Sequence, residues 1–288
     1  MNALDILAAA AFTVFAWWFC TGVIFYLDGL PKRTYWLSLA SATVVATCAF
    51  IGLITASRFA TPAGAYAAFS CTLLVWGWQE MLFLMGALAG SSREPCPLGV
   101  SEATRFRLAT RAVLHHELAL LGGGLLLLMM TWGAPNQVGA ATYFSLWLMR
   151  LSAKLNLFVG VRNTYAHLLP EHLAYLGSFF RQRQTTSRFF VLSSGLATLL
   201  TIAAWSFVSS ATNTAFARTG ASLVATLLTL AVVEHLFLVL PIPMEKLWAT
   251  VLSKRDRRPP GPSFRLANEA VTSAAAPELS SLRSPLTK

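Results

Sequence analysis

Seven stretches of this chain are each about 20 predominantly apolar residues long, enough at 1.5 Å per residue to cross a hydrocarbon core of about 30 Å. They run roughly over residues 3–26, 35–56, 63–89, 108–132, 139–161, 189–210 and 219–240. The fold class they predict is an all-α integral membrane protein with seven transmembrane helices. Composition agrees: only 12% of residues are charged against 56% hydrophobic, where a soluble domain carries about 25% charged. Trp17, Trp18, Trp36, Trp132 and Trp248 fall near the ends or outer turns of these runs, as an interfacial aromatic belt requires.

A net charge of +10 would point a soluble chain toward nucleic acid; here it is topological, and no nucleic-acid partner is expected. With the N-terminus outside, 18 of the 22 Lys and Arg lie in inner loops or the tail. Arg58 and Arg218 are outside, and Arg150 and Lys154 lie within the fifth run. The positive-inside rule then sets the N-terminus periplasmic or lumenal and the C-terminus cytoplasmic. The first residues carry Asp5 and no basic group, unlike a cleaved signal, so the first run is read as a mature helix. Cys20, Cys48, Cys71 and Cys96 show no C-x-x-C and no pairing pattern, against a disulfide scaffold or zinc ribbon.

Two pieces do not span. After the fifth run, Leu169, Leu173, Leu176 and Phe180 recur at i, i+4, i+7 and i+11 behind Pro170, which predicts a short interfacial helix; a segment packed on the bundle away from lipid is the alternative. From Lys254 a basic cluster leads through Pro259, Pro260 and Pro262 into a Ser/Ala-rich stretch. The chain therefore divides into a transmembrane domain, 1–252, and a disordered basic cytoplasmic tail, 253–288.

The informative side chains are those a bilayer rejects, at a cost of at least about 2.5–3.5 kcal/mol for a charge at mid-span. Glu80, Glu117 and Glu234 lie within spans, and so do Arg150 and Lys154. Counted from the inner ends of their runs, Glu80, Glu117, Lys154 and Glu234 fall roughly 9–14 Å deep, with His116, Asn156 and His235 at much the same level. Four helices thus aim polar groups at one layer. One reading is a metal site of Glu80, His116, Glu117, Glu234 and His235, or a quinone or pigment site, with Glu and His as ligands or proton carriers. The other is a salt-bridge network in which Arg150, Lys154 and Asn156 are the buried partners. Glu-x-x-His, the spacing of bundle di-iron sites, is absent, and the adjacent pairs His116-Glu117 and Glu234-His235 diverge by about 100°.

No phosphate loop, nucleophile elbow, haem-attachment motif or dinucleotide fingerprint is present, so no catalytic residue is assigned. The last span lacks the lysine a retinal protein needs, and no paired broken helices mark a transporter, although transport of a pigment precursor or small ion would use the same buried charges.

WGWQEMLFLMGALAG (76–90), EPCPLG (94–99), HHELALL (115–121), RLSAKLNLFVGV (150–161), HLLPEHLAYLGSFFRQR (167–183) and VEHLFLVLPIPMEKLW (233–248) together resemble the PuhE family of photosynthetic complex assembly proteins of purple phototrophic bacteria. The resemblance implies a seven-span inner-membrane protein encoded with reaction-centre genes and needed for normal levels of photosynthetic complexes and bacteriochlorophyll. It implies no demonstrated reaction. Two functions follow as expectations. The first is an assembly factor holding reaction-centre subunits or a pigment-synthesis enzyme at the membrane, with the basic surface at Arg181 and Arg183 as partner surface. The second is a membrane subunit of the oxygen-dependent Mg-protoporphyrin IX monomethyl ester cyclase that passes quinol electrons through the Glu/His layer. Iron, quinone and Mg-porphyrin or bacteriochlorophyll are the cofactor candidates, and membrane lipids are partners in either case.

Overall fold

The computed structural model describes residues 3–210 and 214–240. Among them seven α-helices form: α1 (Ala3–Asp28), α2 (Tyr35–Ala56), α3 (Pro62–Leu84), α4 (Glu102–Met130), α5 (Val138–Val159), α6 (Arg188–Ser209) and α7 (Ala215–Phe237). Trp248, the basic cluster, the proposed tail and the boundary at 252 lie outside the described residues.

Helix starts follow local chemistry. Thr61, Ser101, Ser187 and Thr214 each accept a hydrogen bond from the backbone N–H three residues on, capping α3, α4, α6 and α7, and Pro62 fills the first position of α3. Ends are less obedient to apolarity. The third apolar run continues to residue 89, yet α3 stops at Leu84 because the chain turns through Gly86, whose φ of +76° favours glycine. The fourth run begins at 108, yet α4 starts at Glu102, where the Ser101 side chain caps the first turn by accepting from Thr104 N.

α3 is the central helix and touches α1, α2, α4, α5 and α7; α7 in turn packs on α1, α5 and α6. The core joins Leu53, Phe69, Leu73, Trp76, Leu120, Tyr143 and Leu223. Small residues permit the close approach: a Cβ at Gly139 would lie 2.3 Å from Leu53 Cδ1, and one at Gly220 would lie 2.5 Å from Val138 Cγ2.

Six helices, all but α5, are long and apolar enough to cross a membrane. Their outward faces carry large exposed apolar residues such as Leu4, Trp36, Val44, Met129 and Leu192, which lipid solvates and water does not. α5 falls short because Arg150, Ser152, Lys154 and Asn156 interrupt it. It nevertheless runs between the same two faces of the bundle. At one end Asn136 donates from Nδ2 to Ala56 O (3.0 Å) and Phe59 O (3.3 Å). At the other, Leu157 O accepts from Arg181 N (2.9 Å).

The second face carries a folded platform. Residues 171–179 form a 3-10 helix (Glu171–Phe179) rather than the α-helix read from the leucine spacing. Three residues per turn place Leu173, Leu176 and Phe179 on one side, buried against Phe83, Ala89 and Ala112. Phe180, assigned to that face by the α period, is only half-buried. His172 Nε2 lies 2.7 Å from Leu84 O, and a Cβ at Gly90 would lie 1.9 Å from Arg111 O. The segment therefore seals the ends of α3 and α4, which is the bundle-packed alternative.

Candidate functional site: a charged layer under the folded platform

Tyr143, Arg150 and Lys154 fall at i, i+7 and i+11 on α5, so one face of that helix meets α3 and α4 at successive levels. Uppermost, the Tyr143 hydroxyl lies 2.8 Å from Gln79 Oε1 and 2.7 Å from Leu120 O, while Gln79 Nε2 donates to Ala119 O (3.1 Å). Below it Arg150 Nη2 donates to Glu80 Oε2 at 3.1 Å, and Lys154 Nζ donates to Glu117 Oε1 at 2.5 Å. Two of the three carboxylates are thereby neutralised by the two cations of α5.

The histidines divide. His235 is buried and fully engaged: Nδ1 lies 2.8 Å from Ala231 O and Nε2 lies 2.9 Å from Ser152 Oγ. A carbonyl only accepts, so Nδ1 carries the proton and Nε2 accepts from the serine hydroxyl. Asn156 donates to Ser152 O and to Ser193 Oγ, both at 3.0 Å, tying α5 to α6. His116 is fully buried and stacked on Phe83 (centroids 4.4 Å apart), whose ring also has Lys154 Nζ 5.7 Å from its centre. Neither ring nitrogen of His116 has a hydrogen-bond partner, and neither has Glu80 Oε1, which lies 3.9 Å from His116 Nε2.

Glu234 stands apart. It is exposed and makes no ion pair among the described residues, although its charge acts on Arg150. The Arg150 side chain is itself 45% exposed while that of Glu80 is 8% exposed. The layer is therefore closed on the α3–α4 side and open at Arg150 and Glu234.

The five proposed metal ligands do not converge. Among the described residues no three His, Cys, Asp or Glu side chains are placed to hold a metal ion. His235 is spent on Ser152 and the α7 backbone, Glu117 on Lys154, and His116 with Glu80 supplies two donors where transition metals take more. The sequence reading missed Gln79, Phe83, Tyr143, Ser152 and Ser193, residue types too common in membrane helices to stand out singly; only Gln79, beside Glu80 in an apolar run, carried a signal.

It also missed the role of Arg105. This buried side chain donates to Phe179 O (2.8 Å) and Phe158 O (2.9 Å), bonds Glu102, and lies 3.8 Å over the Phe158 ring, clamping the platform to the end of α5. Arg181, expected as partner surface, pairs with the exposed Glu102, and the exposed Arg183 lies over Gly160.

Fold and site thus define a multi-span helical membrane protein with an ion-paired polar layer at one end. The chain belongs to the family described as Protein of unknown function (DUF3623), which matches residues 3–259. It is 34% identical over 246 residues to a protein of Rhodobacter capsulatus described as an uncharacterized 30.4 kDa protein in the puhA 5' region, covering 83% of this chain and 88% of that one. No solved structure matches.

Proposed function

We propose that this protein is a non-enzymatic assembly factor for photosynthetic complexes, of the PuhE type, in the inner membrane of a purple bacterium. In this reading α5 is the seventh span, the N-terminus is periplasmic and the C-terminus cytoplasmic. The observation that carries it is how the layer uses its charges: Glu80 and Glu117 are consumed by Arg150 and Lys154, which holds α3, α4 and α5 together without a cofactor. The relative encoded in the puhA 5' region supplies the photosynthetic context. Reaction-centre subunits or a pigment-synthesis enzyme are the partners. Deleting the gene and complementing it tests this: reaction-centre levels fall in the deletion strain and return with the wild-type chain, and unchanged complexes refute it.

One observation favours the second reading, a membrane subunit of the oxygen-dependent cyclase. Buried imidazole nitrogens without partners, facing an unpaired carboxylate oxygen, call for a further group. Half-exposed Arg150 and exposed Glu234 are what a quinol head would meet from the membrane. This reading predicts accumulation of the cyclase's porphyrin substrate in the deletion strain. Iron analysis of the purified protein adds an independent check, stoichiometric iron supporting this reading.

A further inference from the structure

The lipid-facing side of α4 carries a stripe that neither function uses. Arg107, Arg111, His115, Leu118, Gly122 and Leu125 fall within about 80° of one another on the helix, and all are exposed. No acidic residue lies on this stripe, and Arg107 and Arg111 form no ion pair among the described residues. Other arginines of the same face are engaged: Arg105 in its clamp, Arg181 with Glu102, and Arg93 with Gly86 O at 2.9 Å.

The level of the stripe follows from the stack of His116 on Phe83, the penultimate residue of α3. Arg111 is five residues further inward, about 7.5 Å, and Arg107 another 6 Å or so. Both guanidinium groups therefore reach the level of the inner headgroups. Outward from Arg111 the stripe becomes apolar, with Leu118 55% and Leu125 50% exposed. Gly122, with nothing within 4 Å of the position its Cβ would take, leaves a notch in it. From Arg111 to Gly122 is about 16 Å, half of a hydrocarbon core of about 30 Å.

We propose that this stripe is a binding site for one anionic phospholipid of the inner leaflet. Its phosphate is held by Arg107 and Arg111, and an acyl chain lies along Leu118 and into the notch at Gly122. Charge complementarity selects the headgroup, because guanidinium forks match phosphate oxygens bidentately. The one-leaflet length of the apolar part selects a lipid over a free phosphate.

The test uses the full chain reconstituted in phosphatidylcholine vesicles with a trace of spin-labelled phosphatidylglycerol or spin-labelled phosphatidylcholine, reading the motionally restricted fraction of each. Wild type is expected to prefer phosphatidylglycerol at least fivefold, on a scale of about fivefold per arginine near an anionic surface. R107Q/R111Q brings the ratio to about one, and R107K/R111K retains a preference. Equal restriction of both lipids by wild type overturns the proposal and leaves the stripe to an acidic protein partner. A loss in R33Q equal to that in R107Q/R111Q also overturns it, since it would mean diffuse surface charge.

Discussion

Replacing Arg150 with Met strands Glu80, whose side chain is 8% exposed, whereas replacing Glu80 with Gln strands Arg150, which is 45% exposed and whose long side chain can turn toward the interface. The two halves of one ion pair should therefore differ in cost. Removing one partner of a buried pair costs about 3–5 kcal/mol. The alternative open to the stranded carboxyl is to take up a proton, which at pH 7 costs about 3.7 kcal/mol from an ordinary carboxylate titration. Lys154 remains close enough to offset part of the cost of stranding the ionised carboxylate. We expect about 3 kcal/mol for R150M, about 1 kcal/mol for E80Q because the freed guanidinium can turn toward the headgroup region, and about 1 kcal/mol for the double variant, so that the second substitution rescues the first. Where protonation relieves R150M, its native state binds a proton that the unfolded chain does not. Its deficit then grows with rising pH and shrinks by up to about 1.4 kcal/mol for each unit below pH 7. Denaturation by SDS in mixed micelles, followed by tryptophan fluorescence, gives all three values. E80Q as damaging as R150M, or a double variant worse than either, would refute the pairing.

Four further outcomes follow from the geometry. Tyr143→Phe removes the single hydroxyl proton that Gln79 Oε1 and Leu120 O share and should cost about 1–3 kcal/mol in the same micelle assay. Ser152→Ala removes the partner that His235 Nε2 has among the described residues; a downfield shift of that nitrogen's NMR resonance supports the assigned tautomer and an upfield shift contradicts it. Gly90→Ala puts a methyl 1.9 Å from Arg111 O, so the 85–101 loop should lift from α4 and become sensitive to protease while the spans stay folded. Glu102→Gln breaks the bridge between Arg105 and Arg181; global stability should stay unchanged, with faster amide exchange over 171–183 as the readout.

Apolar length alone located the helices, because burying a backbone in lipid demands long uninterrupted runs. It could not place the end of α3 or the start of α4, where a left-handed glycine and the Ser101 cap decide rather than hydropathy. The leucines after α5 were seen, but with a period of 3.6; the buried set Leu173, Leu176 and Phe179 is the 3.0-residue solution, set by the ends of α3 and α4 on which it packs. In the site, depth was readable by counting residues and azimuth was not. Counting put Glu80, Glu117, Lys154 and Glu234 at one depth with His116, Asn156 and His235; in the structure Glu80 pairs with Arg150 and Glu117 with Lys154. Helix rotation then decided that Glu234 stands open while His235 is engaged with Ser152.

The weak hydropathy of α5 bears on how such a chain is made. In the seven-span arrangement, Arg150 and Lys154 raise the cost of inserting α5 by several kcal/mol if it enters lipid alone. Their counter-charges, Glu80 on α3 and Glu117 on α4, precede them in the polypeptide. Synthesis from the N-terminus thus delivers both acids to the membrane before the helix that needs them, so commitment of α5 is conditional on helices already in place. Truncations ending just after α5 would insert it, whereas the same segment placed behind a neutral leader would slip back into water.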